Sequence, residues 1–79
     1  MNWREYIVVD PHICHGKASI RGTRVMASIV LDNLASGLSI DELLQSYPSL
    51  SRESVLATIA FAAELARDRT IELVPSGST

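Results

Sequence analysis

Leu38–Val55, LSIDELLQSYPSLSRESV, is the stretch whose reading decides the fold. Ser39 stands immediately before the periodic run Ile40, Leu43, Leu44 and Tyr47, and its hydroxyl can accept a bond from an unpaired first-turn amide. Glu42, three residues on, can bond back to the Ser39 amide, so the pair predicts a capping box. Pro48 cannot continue a helix and drives Tyr47 out of helical geometry. Ser51 then opens the next helix. Two helices joined by so short a turn pack at an angle, which is the geometry of a helix-turn-helix. That geometry narrows the function to reading DNA, gripping a protein partner, or both.

Downstream, a third helix is predicted from about Arg52 to Arg67 or Arg69, with Ser51 as its cap and Glu53 and Ser54 in its first turn. Its expected packing face is Val55, Leu56, Ile59, Ala60, Ala62 and Ala63. Thr70 to Val74 reads as an extended segment before Pro75 and a Ser-Gly-Ser-Thr tail. Upstream, Met26 to Ser36 reads as the first helix, with Met26, Ile29, Val30, Asn33 and Leu34 on one face and Gly37 as the C-terminal cap. Before it, Tyr6-Ile7-Val8-Val9 is aromatic and β-branched and is stopped by Asp10-Pro11, so it reads as a short strand. Ala18-Ser19-Ile20 and Thr23-Arg24-Val25 flank the compact turn Arg21-Gly22, which predicts a small hairpin or hooked ribbon. A two-stranded ribbon alone is poorly stable, so it must lie on the helices or pair with another chain. The expected fold is mostly α, in one domain over 1–79: a β-ribbon arm over 1–25, a three-helix bundle over 26–69 and an extended tail over 70–79.

Seventy-nine residues leave no room for a second core, and 47% apolar content suffices to build one. The longest apolar run is far below the ~20 residues that span a bilayer. MNWREYIVVD at the start does not resemble a secretory signal. The single cysteine, Cys14, cannot close an internal disulfide, and a reducing cytoplasm is the expected compartment. The formal net charge of −2 is unevenly spread. Residues 1–25 carry Arg4, Lys17, Arg21 and Arg24 against Glu5 and Asp10, a balance of +2. Residues 26–79 carry three arginines against seven carboxylates, a balance of −4. Such asymmetry either separates a phosphate-facing end from a partner-facing end or reflects solvated surface charge.

GKASIRGTRV (Gly16–Val25) and LASGLSIDELLQSYPSLSRESVLATIAFAAE (Leu34–Glu64) together resemble the domain of unknown function 433 family. The resemblance runs from about Tyr6 to Glu64. Ala18 departs from the proline usual in that family, and Ser51 replaces the usual threonine as a near-equivalent cap. The resemblance implies a homeodomain-like three-helix fold with a small N-terminal β element. It also implies an antitoxin of the VapB type, encoded beside a PIN-like ribonuclease toxin that it binds and silences, and autoregulation of its operon through the helix-turn-helix.

The candidate sites follow from that frame. A reading helix works through its N-terminal groove-facing side chains, here Ser49, Ser51, Arg52, Ser54 and Thr58. Arg52 suits a guanine edge or a phosphate, and Ser51 and Ser54 suit phosphates. Lys17, Arg21 and Arg24 of the ribbon would add phosphate contacts, and a homodimer would double them. Equally, Thr23 can bond the backbone, and Arg24 can tie the ribbon to Asp32 or Asp41. Phe61, Leu65, Ile71, Leu73 and Val74 exceed what the core requires and form the candidate partner-binding surface. Glu72 and Asp68 could then mimic RNA before a basic nuclease groove. His12, Cys14 and His15 lack a fourth ligand at zinc spacing, so no metal or other cofactor is expected. No nucleophile comes with a paired base, and the chain reads as a non-enzyme. The rival readings are a stand-alone helix-turn-helix transcriptional regulator and an interaction module without DNA binding.

Overall fold

Short-range hydrogen bonds dictate the element ends. The computed structural model describes residues 1–68. The extended segment expected at Thr70–Val74, with Ile71, Leu73 and Val74 as partner contacts, lies outside the described residues.

Trp3–Glu5 forms a single-turn 3-10 helix capped by the Asn2 side chain. The first strand, β1, is Ile7–Val8, and it pairs antiparallel with β2, Ser19–Ile20, in the register Ile7 opposite Ile20 and Val8 opposite Ser19. The expected four-residue strand is thus two residues long, and Val9 is already 64% exposed. Thr23–Val25 forms no second strand of a local hairpin. The Thr23 amide donates to the Ile20 carbonyl to close a turn in which Gly22 takes φ +80°, and β2 meets the returning chain through a bridge between Ser19 and Met26. Between the strands, Cys14–Gly16 makes a second 3-10 turn, in which Cys14 and His15 hold φ of +52° and +56°.

Helix α1 spans Ala27–Ala35. It ends in a Schellman motif: the Leu38 amide donates to the Asn33 carbonyl and the Gly37 amide to the Leu34 carbonyl, with Gly37 at φ +102°. Helix α2 spans Ile40–Ser46 and carries the expected capping box. The Ser39 hydroxyl accepts from the Glu42 amide at 3.1 Å, and the Glu42 carboxylate accepts from the Ser39 amide at 2.9 Å. Tyr47 leaves helical geometry at φ −129°, ψ 80°, as a residue before proline must. The Leu50 amide then donates back to the Tyr47 carbonyl, closing the turn around Pro48. Helix α3 spans Arg52–Asp68.

The core is Ile7, Ile20, Val30, Leu43, Leu50 and Val55, so both ribbon strands contribute to it together with all three helices. Burial rather than strand pairing therefore holds the two-residue ribbon in place. Trp3 is also packed on this core, with its ring edge-on to Phe61 of α3 at 4.9 Å between centroids. Arg4 lies over the Trp3 ring and bonds Glu64 at 3.1 Å, tying the N-terminus to the same helix. The result is a mostly α three-helix bundle with a small two-stranded β-hairpin, arranged in a homeodomain-like manner.

The rotation of α3 differs from expectation. Its buried residues are Ser54, Val55, Ala57 and Thr58, whereas Leu56 and Ile59 are 42% and 40% exposed. The inward face is thus turned by about one residue, ~100°, from the predicted one. Thr58 accepts burial because its hydroxyl donates to the Ser54 carbonyl at 2.8 Å, which removes the desolvation cost of an unpaired hydroxyl.

Candidate nucleic-acid and partner-binding surfaces

The first turn of α3 is built by a reciprocal pair of serines. The Ser51 hydroxyl accepts from the Ser54 amide at 3.1 Å, and the Ser54 hydroxyl accepts from the Ser51 amide at 3.0 Å while donating to the Ser51 carbonyl. Ser54 stands where a capping box ordinarily carries a glutamate or glutamine. It is buried and its hydroxyl is committed, so it is not presented to a phosphate as the sequence suggested. Thr58 is fully buried for the reason given above. Ser49, Ser51 and Arg52 remain at the surface.

Arg52 is not a free cation. Its guanidinium pairs with the Asp41 carboxylate in the first turn of α2, a bond between two exposed side chains. Asp41, expected as a possible partner for Arg24, pairs with α3 instead. Arg21 is likewise engaged: its Nε and Nη2 donate to the Glu5 and Arg4 carbonyls at 3.1 and 3.3 Å, closing the C-terminal end of the first 3-10 turn. Its own amide bonds the Tyr6 carbonyl at 2.7 Å. Thr23 bonds backbone, donating to the Ile20 carbonyl at 2.8 Å and accepting from the Val25 amide at 3.0 Å. Lys17 and Arg24 are the exposed ribbon cations whose side chains make neither an ion pair nor a hydrogen bond among the described residues.

Two concavities organise these side chains. One, of about 470 Å³, lies where the ribbon turn meets the helix-turn-helix turn and is lined by Ile13, Gly22, Thr23, Arg24 and Ser49. The Cys14 thiol donates to the Arg24 carbonyl at 3.4 Å beside it. The other is an open groove of about 660 Å³ between α1, α3 and the residues leading into β2. Ala18, Ala27, Leu31, Phe61 and Leu65 make its apolar walls, and Lys17 and Ser28 are its polar members. Phe61 and Leu65 of the predicted partner surface are therefore brought together, and Lys17 joins them rather than Arg24. The sequence carried a signal for this grouping: Phe61 and Leu65 are four residues apart on one helix, as are Ala27 and Leu31 on another.

Glu42 has a displaced titration. The Ser39 amide, and then the Ser39 hydroxyl, bond its carboxylate and hold its pKa below the usual glutamate value. No cluster of three or more metal-ligating side chains, His12, Cys14 and His15 included, occurs among the described residues. None of the described helices is long and apolar enough to cross a membrane.

Known proteins place this scaffold. A curated relative, the uncharacterized protein y4eO of Sinorhizobium fredii (strain NBRC 101917 / NGR234), is 37% identical over 67 residues. That match covers 84% of this chain and 30% of the relative, so the chain spans about a third of the protein it resembles. The crystal structure of a DUF433 member protein from Anabaena variabilis superposes with a TM-score of 0.71 at 29% identity. The superposition covers 78% of this chain and 61% of the other. A family model described as "Protein of unknown function (DUF433)" matches residues 7–62, from the first strand to the groove wall, and the chain belongs to that family.

Proposed function

We propose that this protein is an antitoxin of a type II toxin–antitoxin pair, acting in the cytoplasm by binding and neutralising a PIN-like ribonuclease. The observation that carries a protein partner is the apolar groove walled by Phe61 and Leu65, with Leu65 45% exposed. The nuclease identity of that partner rests on the family's resemblance to VapB-type antitoxins. The reading helix supports the same choice, because its one N-terminal arginine is already paired with Asp41. In this reading the chain has no catalytic role and inhibits by occupation.

The test is recovery of partners from native lysate on the tagged chain, followed by RNA cleavage assays with the recovered nuclease. A PIN-like nuclease silenced by added chain, and released by Leu65→Glu, is the expected result. A nuclease neither recovered nor inhibited would overturn the reading.

A second reading is favoured by one feature: exposed Arg24 and Ser49 line the same concavity at the helix-turn-helix turn. In it the chain is a DNA-binding regulator, alone or of its own operon, using Arg24 and Lys17 on phosphates with Ser51 and Arg52 at the groove. Arg24→Glu would then weaken promoter binding and flatten its salt dependence, whereas a pure interaction module would show neither effect.

A further inference from the structure

We propose that the outward face of α3 is the contact between two copies of this chain, joined as an antiparallel helix pair; this stands apart from the nuclease reading. Leu56, Ile59, Ala63 and Ala66 follow one another at spacings of three, four and three, all exposed. That is the seam of a helix pair, displaced from the core side formed by Val55, Ala57 and Thr58. Two such helices laid antiparallel and centred at the level of residue 61 set Leu56 over the partner's Ala66 and Ile59 over the partner's Ala63. Each large side chain then meets a small one, which allows close approach.

Charge selects this occupant and this direction. Glu53, Ala60 and Arg67 are spaced by sevens and therefore line one flank of the seam. In the antiparallel arrangement each Glu53 comes within about 3 Å, along the helix axis, of the level of the partner's Arg67, twice about the two-fold axis. In a parallel arrangement like charges would face each other. Neither Glu53 nor Arg67 takes part in an ion pair within the chain among the described residues. Phe61 and Leu65 lie on the other side of α3, so their groove stays open in such a dimer.

Sedimentation of the full chain over a dilution series tests the proposal. The wild type is expected to form a dimer that dissociates on dilution, and Ile59→Glu to weaken it roughly 100-fold or more while far-UV circular dichroism stays unchanged. Glu53→Arg and Arg67→Glu are each expected to weaken it about tenfold, and the double variant to recover most of that loss. The two positions lie about 21 Å apart along one helix, so recovery can arise only between chains. The double variant also carries the least favourable charges for the helix dipole, so an effect on folding alone would make it the worst of the three. A wild type that stays monomeric throughout, a dimer indifferent to Ile59→Glu, or a double variant no tighter than the single ones would overturn the proposal.

Discussion

Arg52 in the first turn of α3 is ion-paired with Asp41 in the first turn of α2, so the only arginine at the start of α3 is held by its own neighbour. Both side chains are more than half exposed, at 52% and 78%, and water screens the pair. Asp41→Asn should therefore change stability by no more than about 0.5 kcal/mol in chemical denaturation. Its effect on DNA is the informative one. If the chain reads an operator through α3, freeing Arg52 should tighten binding and steepen its salt dependence; an unchanged titration would remove Arg52 from any DNA contact.

Glu42 supplies a pH signature. Its pKa is lowered because the folded state bonds the carboxylate through the Ser39 amide and hydroxyl. A depressed carboxylate contributes stability that is present above its unfolded pKa and fades as pH falls through the folded value. Glutamine can still accept from the Ser39 amide but does not titrate. Glu42→Gln should show a slightly lower Tm than the wild type near neutrality and lose less on acidification, so that the two profiles converge at low pH. Ser39→Ala, which removes the partner hydroxyl, should cost about 1 kcal/mol at neutral pH. Parallel Tm profiles for the wild type and Glu42→Gln would count against the linkage.

His15 sits in left-handed backbone at φ +56°, a conformation that costs a side-chain-bearing residue about 1 kcal/mol or more. His15→Gly relieves it and is expected to raise stability by about 1 kcal/mol, read as a higher denaturation midpoint. The same change at Lys17, whose φ of −81° is ordinary, should give no gain. Gly16, at φ +80°, predicts the opposite sign, with Gly16→Ala destabilising.

Trp3 reports whether the N-terminal segment folds with the helices. It is the only tryptophan, and its ring meets Phe61 edge-on. Tryptophan fluorescence and far-UV circular dichroism should follow one coincident unfolding transition. Phe61→Ala should lower its midpoint by an amount worth about 2 kcal/mol, since the ring is partly rather than fully buried. An early fluorescence transition ahead of helix loss would separate residues 1–25 from the bundle as an independent arm.

What could be read from the chain alone was everything settled within a few residues. The Ser39–Glu42 box, the break at Pro48, the Gly37 cap and the span of α2 at Ile40–Ser46 all follow from bonds between near neighbours. Side-chain chemistry and sequence spacing are sufficient for such features, because their partners are already close in the unfolded chain. Tertiary structure alone decided the rest. It paired Ile7–Val8 with Ser19–Ile20 across an intervening loop, aimed Arg21 at the Arg4 and Glu5 carbonyls, and gave Asp41 to Arg52 rather than Arg24. It also turned α3 by one residue. Hydropathy counts Ser54 and Thr58 as polar, but bonds within their own helix turn satisfy both hydroxyls and let them pack inward. That rotation left Leu56 and Ile59 outside. Whether a side chain faces the core depends on what its hydrogen bonds already satisfy and on which elements approach it, and neither is written in the order of residues along the helix.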